Sequence, residues 1–138
     1  MAVIYERAVR FEEIDAAGIM FFARYFHWCH EAMERFFDEL PGGYVELIMK
    51  KRLGFPAVHM TGDWKTPLRY GDAVRIETSV VTIGTTSTTF RYVFTKIPDG
   101  AYVAKFEHVT VFSNLDAMTK RPIPTDVRAL LEAHRTSG

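Results

Sequence analysis

The spacing of apolar residues changes once along this chain, and that change limits the folds open to it. From Phe22 onward, Phe22, Phe26, Cys29, Met33, Phe36, Phe37 and Leu40 recur at helical intervals, with Arg24, His27, Glu31, Glu34 and Asp38 on the opposite side, the pattern of a long amphipathic helix. Pro41-Gly42-Gly43 stops it, and a shorter helical piece from Tyr44 to Lys51 ends near Gly54. Beyond that point the residues alternate. Ala57 to Thr66 reads as a strand ending at Pro67, Asp72 to Thr82 sets Val74, Ile76, Thr78 and Val80 against Arg75, Glu77 and Ser79, and Thr86 to Lys96 sets Phe90, Tyr92 and Phe94 against Arg91 and Val93. Pro98-Asp99-Gly100 then turns the chain into Ala101 to Ser113, because glycine accepts positive φ and proline presets its own. Ahead of the helix, Val3 to Phe11 reads as an edge-type strand with Val3, Tyr5, Val9 and Phe11 on one side, interrupted at Arg7, and Pro124-Thr125-Asp126 opens a terminal helix through His134. One long helix among about five antiparallel strands predicts an α+β domain in which a curved sheet wraps the helix. Residues 1–138 are expected to form that one domain.

Composition narrows the function. The 138 residues are 48% hydrophobic and 25% charged, with a net charge of zero, which supports a real core and gives no field for binding nucleic acid or an anionic membrane surface. Cys29 is the lone cysteine, so no internal disulfide forms, and the amino-terminal residues lack the apolar core of a signal peptide. The expected compartment is the cytoplasm. No apolar run approaches the roughly 20 residues of a membrane span.

One carboxylate stands out chemically. Asp15 lies in the stretch Phe11-Glu12-Glu13-Ile14-Asp15-Ala16-Ala17-Gly18-Ile19-Met20-Phe21-Phe22, in a turn of small residues between the strand-like run and the helix. An acid beside a helix amino terminus can activate a nucleophile while free backbone N–H groups stabilise an oxyanion. A loop acid accepting backbone N–H bonds is the other reading of the same residue. No glycine-rich phosphate loop, zinc-spaced Cys/His set or Ser-His-Asp signature is present.

The element order, the Asp15-Ala16-Ala17-Gly18 motif and the downstream Asp63-Trp64-Lys65-Thr66-Pro67-Leu68-Arg69-Tyr70-Gly71-Asp72 segment resemble the hot-dog-fold acyl-CoA thioesterases of the 4-hydroxybenzoyl-CoA thioesterase family over nearly the whole chain. The resemblance implies a hydrolase that splits an acyl-CoA without metal or cofactor. Asp15 would be its catalytic carboxylate, and the Phe22 N–H would hold the thioester carbonyl oxygen. It also implies a homodimer or homotetramer pairing through the Ala57 to Thr66 region. The combination of Asp15 to Gly18, Phe22-Ala23 and Cys29-His30-Glu31-Ala32 is more similar to 1,4-dihydroxy-2-naphthoyl-CoA thioesterases, in which case His30 would hydrogen-bond a substituent on an aryl ring.

Substrate contacts are expected at Gly18, whose missing Cβ permits close approach, and at Phe21, Tyr25, His30, His59 and Thr61. Aromatic residues at helical spacing also serve as core, which is the alternative for Phe21, Phe22, Tyr25 and Trp28. Lys50-Lys51-Arg52, Arg91 and Lys96 are the available partners for CoA phosphates. Three functions fit the sequence: a thioesterase acting through Asp15, a hydratase or dehydratase that adds His27 or His30, and a noncatalytic acyl-CoA-binding or scaffold protein.

Overall fold

The computed structural model describes residues 2–136. Five strands form one antiparallel sheet: β1 (Val3–Ala8), β3 (Ala57–Trp64), β4 (Ala73–Ile83), β5 (Ser87–Ile97) and β6 (Tyr102–Val111), in the order β1-β4-β5-β6-β3. The alternation read from the sequence is the alternation of burial, with Val74, Ile76, Thr78 and Val80 on β4 and Phe90, Tyr92 and Phe94 on β5 all fully buried. Three two-residue strands, β2 (Leu53–Gly54), β7 (Ser113–Asn114) and β8 (Thr119–Lys120), make a second small sheet. The short helix α2 (Gly43–Val45) continues into a wider turn over Glu46–Lys50, and α3 (Thr125–Ala133) follows the last strand.

Helix α1 (Arg24–Phe36) is a short element of 13 residues rather than the long helix expected from Phe22 to Leu40. It starts late because Arg24 N–H closes a turn onto the Phe21 carbonyl at 2.9 Å. It ends early because the chain tightens into a 3₁₀ turn over Phe37–Glu39 before Pro41. Its buried face is also rotated from the expected one: Tyr25, Trp28, Cys29, Ala32, Met33 and Phe36 point inward, while Phe22 precedes the helix and is 61% exposed. Trp28 stacks on Phe94 at 6.3 Å, and Phe36 meets Phe90 edge-on at 5.7 Å, which fastens the helix across the sheet.

Strand β1 lies at a sheet edge as expected but stops at Ala8, and a 3₁₀ turn over Phe11–Glu13 carries Phe11 out to solvent. Arg7, read in the sequence as an interruption, faces the same side as Val3 and Tyr5. It points into the protein, its side chain 10% exposed, because two carboxylates meet it there.

Candidate active site

Asp15 occupies the turn of a small hairpin rather than the amino terminus of α1. Ile14 bridges Met20, Asp15 N–H donates to the Ile19 carbonyl at 3.0 Å, and Gly18 N–H donates back to the Asp15 carbonyl at 3.0 Å. Gly18 closes the turn at φ +82°, with open space where a Cβ would stand. The Asp15 carboxylate is half-buried and takes the Ala17 N–H on Oδ1 at 2.8 Å, an Asx turn. Among the described residues no donor occupies its second oxygen.

Past the base of the same hairpin, Phe21 N–H donates to the Glu13 carbonyl at 2.9 Å. Phe22 comes next, and among the described residues its N–H donates to no backbone carbonyl. Ala23 caps α1 without a side-chain oxygen, and the first N–H groups of the helix turn back onto backbone carbonyls instead, Arg24 onto Phe21 at 2.9 Å and Tyr25 onto Phe22 at 3.3 Å. One backbone element of eight residues thus carries a carboxylate with an unoccupied oxygen at one end and, at Phe22, an N–H with no backbone acceptor among the described residues at the other.

An apolar cleft of about 270 Å³ runs beside this hairpin, walled by Ile19, Met20, Phe22 and Tyr25 on one side and by Trp64, Lys65, Thr66 and Pro67 on the other. The sequence segments join because Met20 N–H donates to the Leu68 carbonyl at 2.7 Å, holding the hairpin to the chain that leaves β3. Tyr25 packs edge-on to Trp64 at 6.0 Å, and burial pushes its phenol pKa up against the smaller, opposite effect of a backbone hydrogen bond at Leu68. Lys65 and Thr66 add the polar groups. An apolar slot with a few polar ones suits an acyl or aryl group.

Of the residues expected to touch substrate, Phe22 and Tyr25 line this cleft. Phe21 is 42% exposed and packs on Phe22 at 4.9 Å, and Gly18 is exposed at the hairpin turn. His30 is not among the cleft residues: it lies on the outside of α1, with Nδ1 3.1 Å from Glu34 and its ring edge-on to Tyr44. His59 and Thr61 are exposed on β3. Four of the five basic candidates are engaged elsewhere. Arg91 donates twice to Glu107, Lys96 sits 3.6 Å from Asp72, Lys50 lies 3.5 Å from Glu46, and Arg52 bonds Asp116 at 2.9 Å. The sequence reading gave no role to Trp64, Lys65, Thr66 and Pro67, although all four stand in the downstream motif it singled out.

A family model described as the thioesterase-like superfamily matches residues 9–131. The chain is 28% identical to a 1,4-dihydroxy-2-naphthoyl-CoA hydrolase of Nostoc punctiforme over 135 residues, covering 98% of this chain and 90% of the relative. Among solved structures it is similar to a gentisyl-coenzyme A thioesterase, at 33% identity and a TM-score of 0.83, covering 94% of this chain and 99% of that one. It is also similar to a thioesterase-superfamily protein of Jannaschia sp. CCS1, at 27% identity and a TM-score of 0.89, covering 99% and 94%. A five-stranded antiparallel sheet with a helix laid across it is the hot-dog arrangement these thioesterases share.

Proposed function

The chain belongs to the thioesterase-like superfamily, and from that premise we propose that it hydrolyses an aryl-CoA thioester to free CoA and an aryl carboxylic acid, with Asp15 as the reacting carboxylate and the Phe22 N–H as the oxyanion donor. The observation that carries this reading is the hairpin itself. It presents a carboxylate with one unoccupied oxygen and an undonated N–H from a single short backbone element beside an apolar cleft. A thioester carbonyl needs little activation. Asp15 acts either as general base on water or as nucleophile, and the Phe22 N–H lowers the barrier by meeting the charge that develops on oxygen. The relatives named for 1,4-dihydroxy-2-naphthoyl-CoA and gentisyl-CoA support an aryl acyl group bearing hydroxyls.

The working unit in this reading is a dimer paired through β3. His30, His59 and Thr61 are exposed and lie away from the cleft of their own chain, so they reach a substrate only across such an interface. A ring hydroxyl there would bond His30.

The test is thiol release from a panel of aryl- and alkyl-CoA esters by the parent and by Asp15→Asn. That substitution keeps size and the Ala17 hydrogen bond but removes the basic, nucleophilic oxygen. A fall of about 10²–10⁴-fold in kcat is expected for loss of general-base action, with hydroxyaryl esters preferred in the parent. A folded Asp15→Asn variant turning over within a few-fold of the parent makes Asp15 a structural loop acid.

A further inference from the structure

A buried carboxylate with no part in the chemistry above lies two residues ahead of Asp15. Glu13 is 4% exposed, and both of its oxygens are used. Arg7 Nη2 donates to Oε1 and Oε2 at 2.9 Å each, Arg10 N–H donates to Oε1 at 2.9 Å, and the Trp28 indole N–H donates to Oε2 at 2.8 Å. Arg7 also lies over the Trp28 ring, 4.1 Å from its centroid, and reaches Glu31 of α1 at 2.6 Å. Desolvation offsets most of the attraction in such a buried set, so it is weak evidence for stability. What it fixes is orientation. The side chain of Glu13 ties the hairpin to β1 through Arg7 and to α1 through Trp28. Its carbonyl accepts the Phe21 N–H at 2.9 Å, so the strand leading to Asp15 and the strand leading to Phe22 are referred to the same frame.

We infer that Glu13, gripped by Arg7 and Trp28, is a positioning residue that aligns the Asp15 carboxylate with the Phe22 N–H; the inference rests on the reading of those two groups as the reacting ones. A misplacement of about 1 Å costs on the order of 10²-fold in rate. Glu13, Arg7 and Trp28 are not among the residues that wall the cleft, and one of its two walls, Trp64 to Pro67, belongs to a different segment of the chain. Glu13 therefore acts on turnover more than on KM.

The experiment places Glu13→Gln in the parent and in Asp15→Asn, with circular dichroism establishing that each variant is folded at the assay temperature. Expected in the parent background is a kcat lower by about 10- to 10²-fold with KM within about twofold. No further fall is expected in Asp15→Asn, since a group acting through Asp15 has nothing left to align. Arg7→Lys keeps the charge but loses the two-pronged grip; it should show a smaller fall of the same kind, and it carries the test alone if Glu13→Gln does not fold. A folded variant with parental kcat, a loss confined to KM, or an equal fold-loss in both backgrounds overturns the inference. The Asp15→Asn single variant reads the underlying assignment separately: parental turnover there removes both, whereas loss there beside a parental Glu13→Gln removes the positioning role alone.

Discussion

His108 reaches inward from β6 with Nδ1 3.0 Å from the Tyr92 hydroxyl, and burial, aided by the nearby His30, holds its pKa below the 6.5 of a free imidazole. The folded protein then binds fewer protons at this site than the unfolded chain does. Its contribution to stability is fully present above about pH 6.5 and is lost as the pH falls toward the lowered folded value. Thermal unfolding of the parent and of His108→Gln between about pH 7.5 and about pH 5.5 should show a shallower acid loss in the variant; parallel curves would refute the assignment. Individual residues were unevenly legible in the sequence. Asp15 was visible because small residues around an acid mark a tight turn. Arg7 was misread because pattern rules score a guanidinium as outward. Its partners, Glu13 and Glu31, come from a hairpin and a helix that the chain assembles only in three dimensions.

At the scale of elements, alternation was the readable signal because the sheet buries one face, and slipping by one residue would turn every side chain over. The turn at Gly100 was equally readable: φ is +75° there, and Lys96 N–H meets the Ala101 carbonyl at 2.9 Å. The helix was read at the right place but about the wrong axis, since Phe22 and Phe26 were counted into the core. Both are partly exposed, near Trp64, where the aromatic ends of α1 and β3 meet. Gly62 on β3 shows what the pattern could not. A Cβ at that position would stand 2.7 Å from the Phe106 ring, which itself packs on Trp64 at 5.2 Å and Phe26 at 5.7 Å. Glycine is there so that Phe106 can lie against the backbone of the strand. Gly62→Ala should cost about 1–3 kcal/mol by overpacking, measured as a lower midpoint in urea at unchanged m-value. An unchanged midpoint would mean the ring moves aside freely.

For the whole molecule the question is what becomes of the sheet's two open edges. The β1 edge is six residues long and carries Glu6, paired with Arg75 at 2.9 Å, beside Arg7, and charged side chains are how natural sheets discourage pairing. The β3 edge is eight residues, bonded among the described strands to β6 alone, with Val58 60% exposed and Trp64 45% exposed. Its central residues, His59 to Gly62, carry no charge other than what His59 can take up. A long, partly apolar edge with Asp63 near its end is a template for another strand, and in the proposed assembly a second copy of β3 runs antiparallel to it across a two-fold axis. In the proposed assembly this pairing brings His59 and Thr61 of one chain toward the cleft of the other, so the enzyme should be active only as the dimer. Val58→Asp adds a charge at the edge while touching none of the cleft residues. Sedimentation should then show a folded monomer where the parent shows a dimer or tetramer, and thiol release should fall with the loss of assembly and recover at high protein concentration. A parent that sediments as a fully active monomer would place the whole site within one chain and leave the exposed β3 edge without this role.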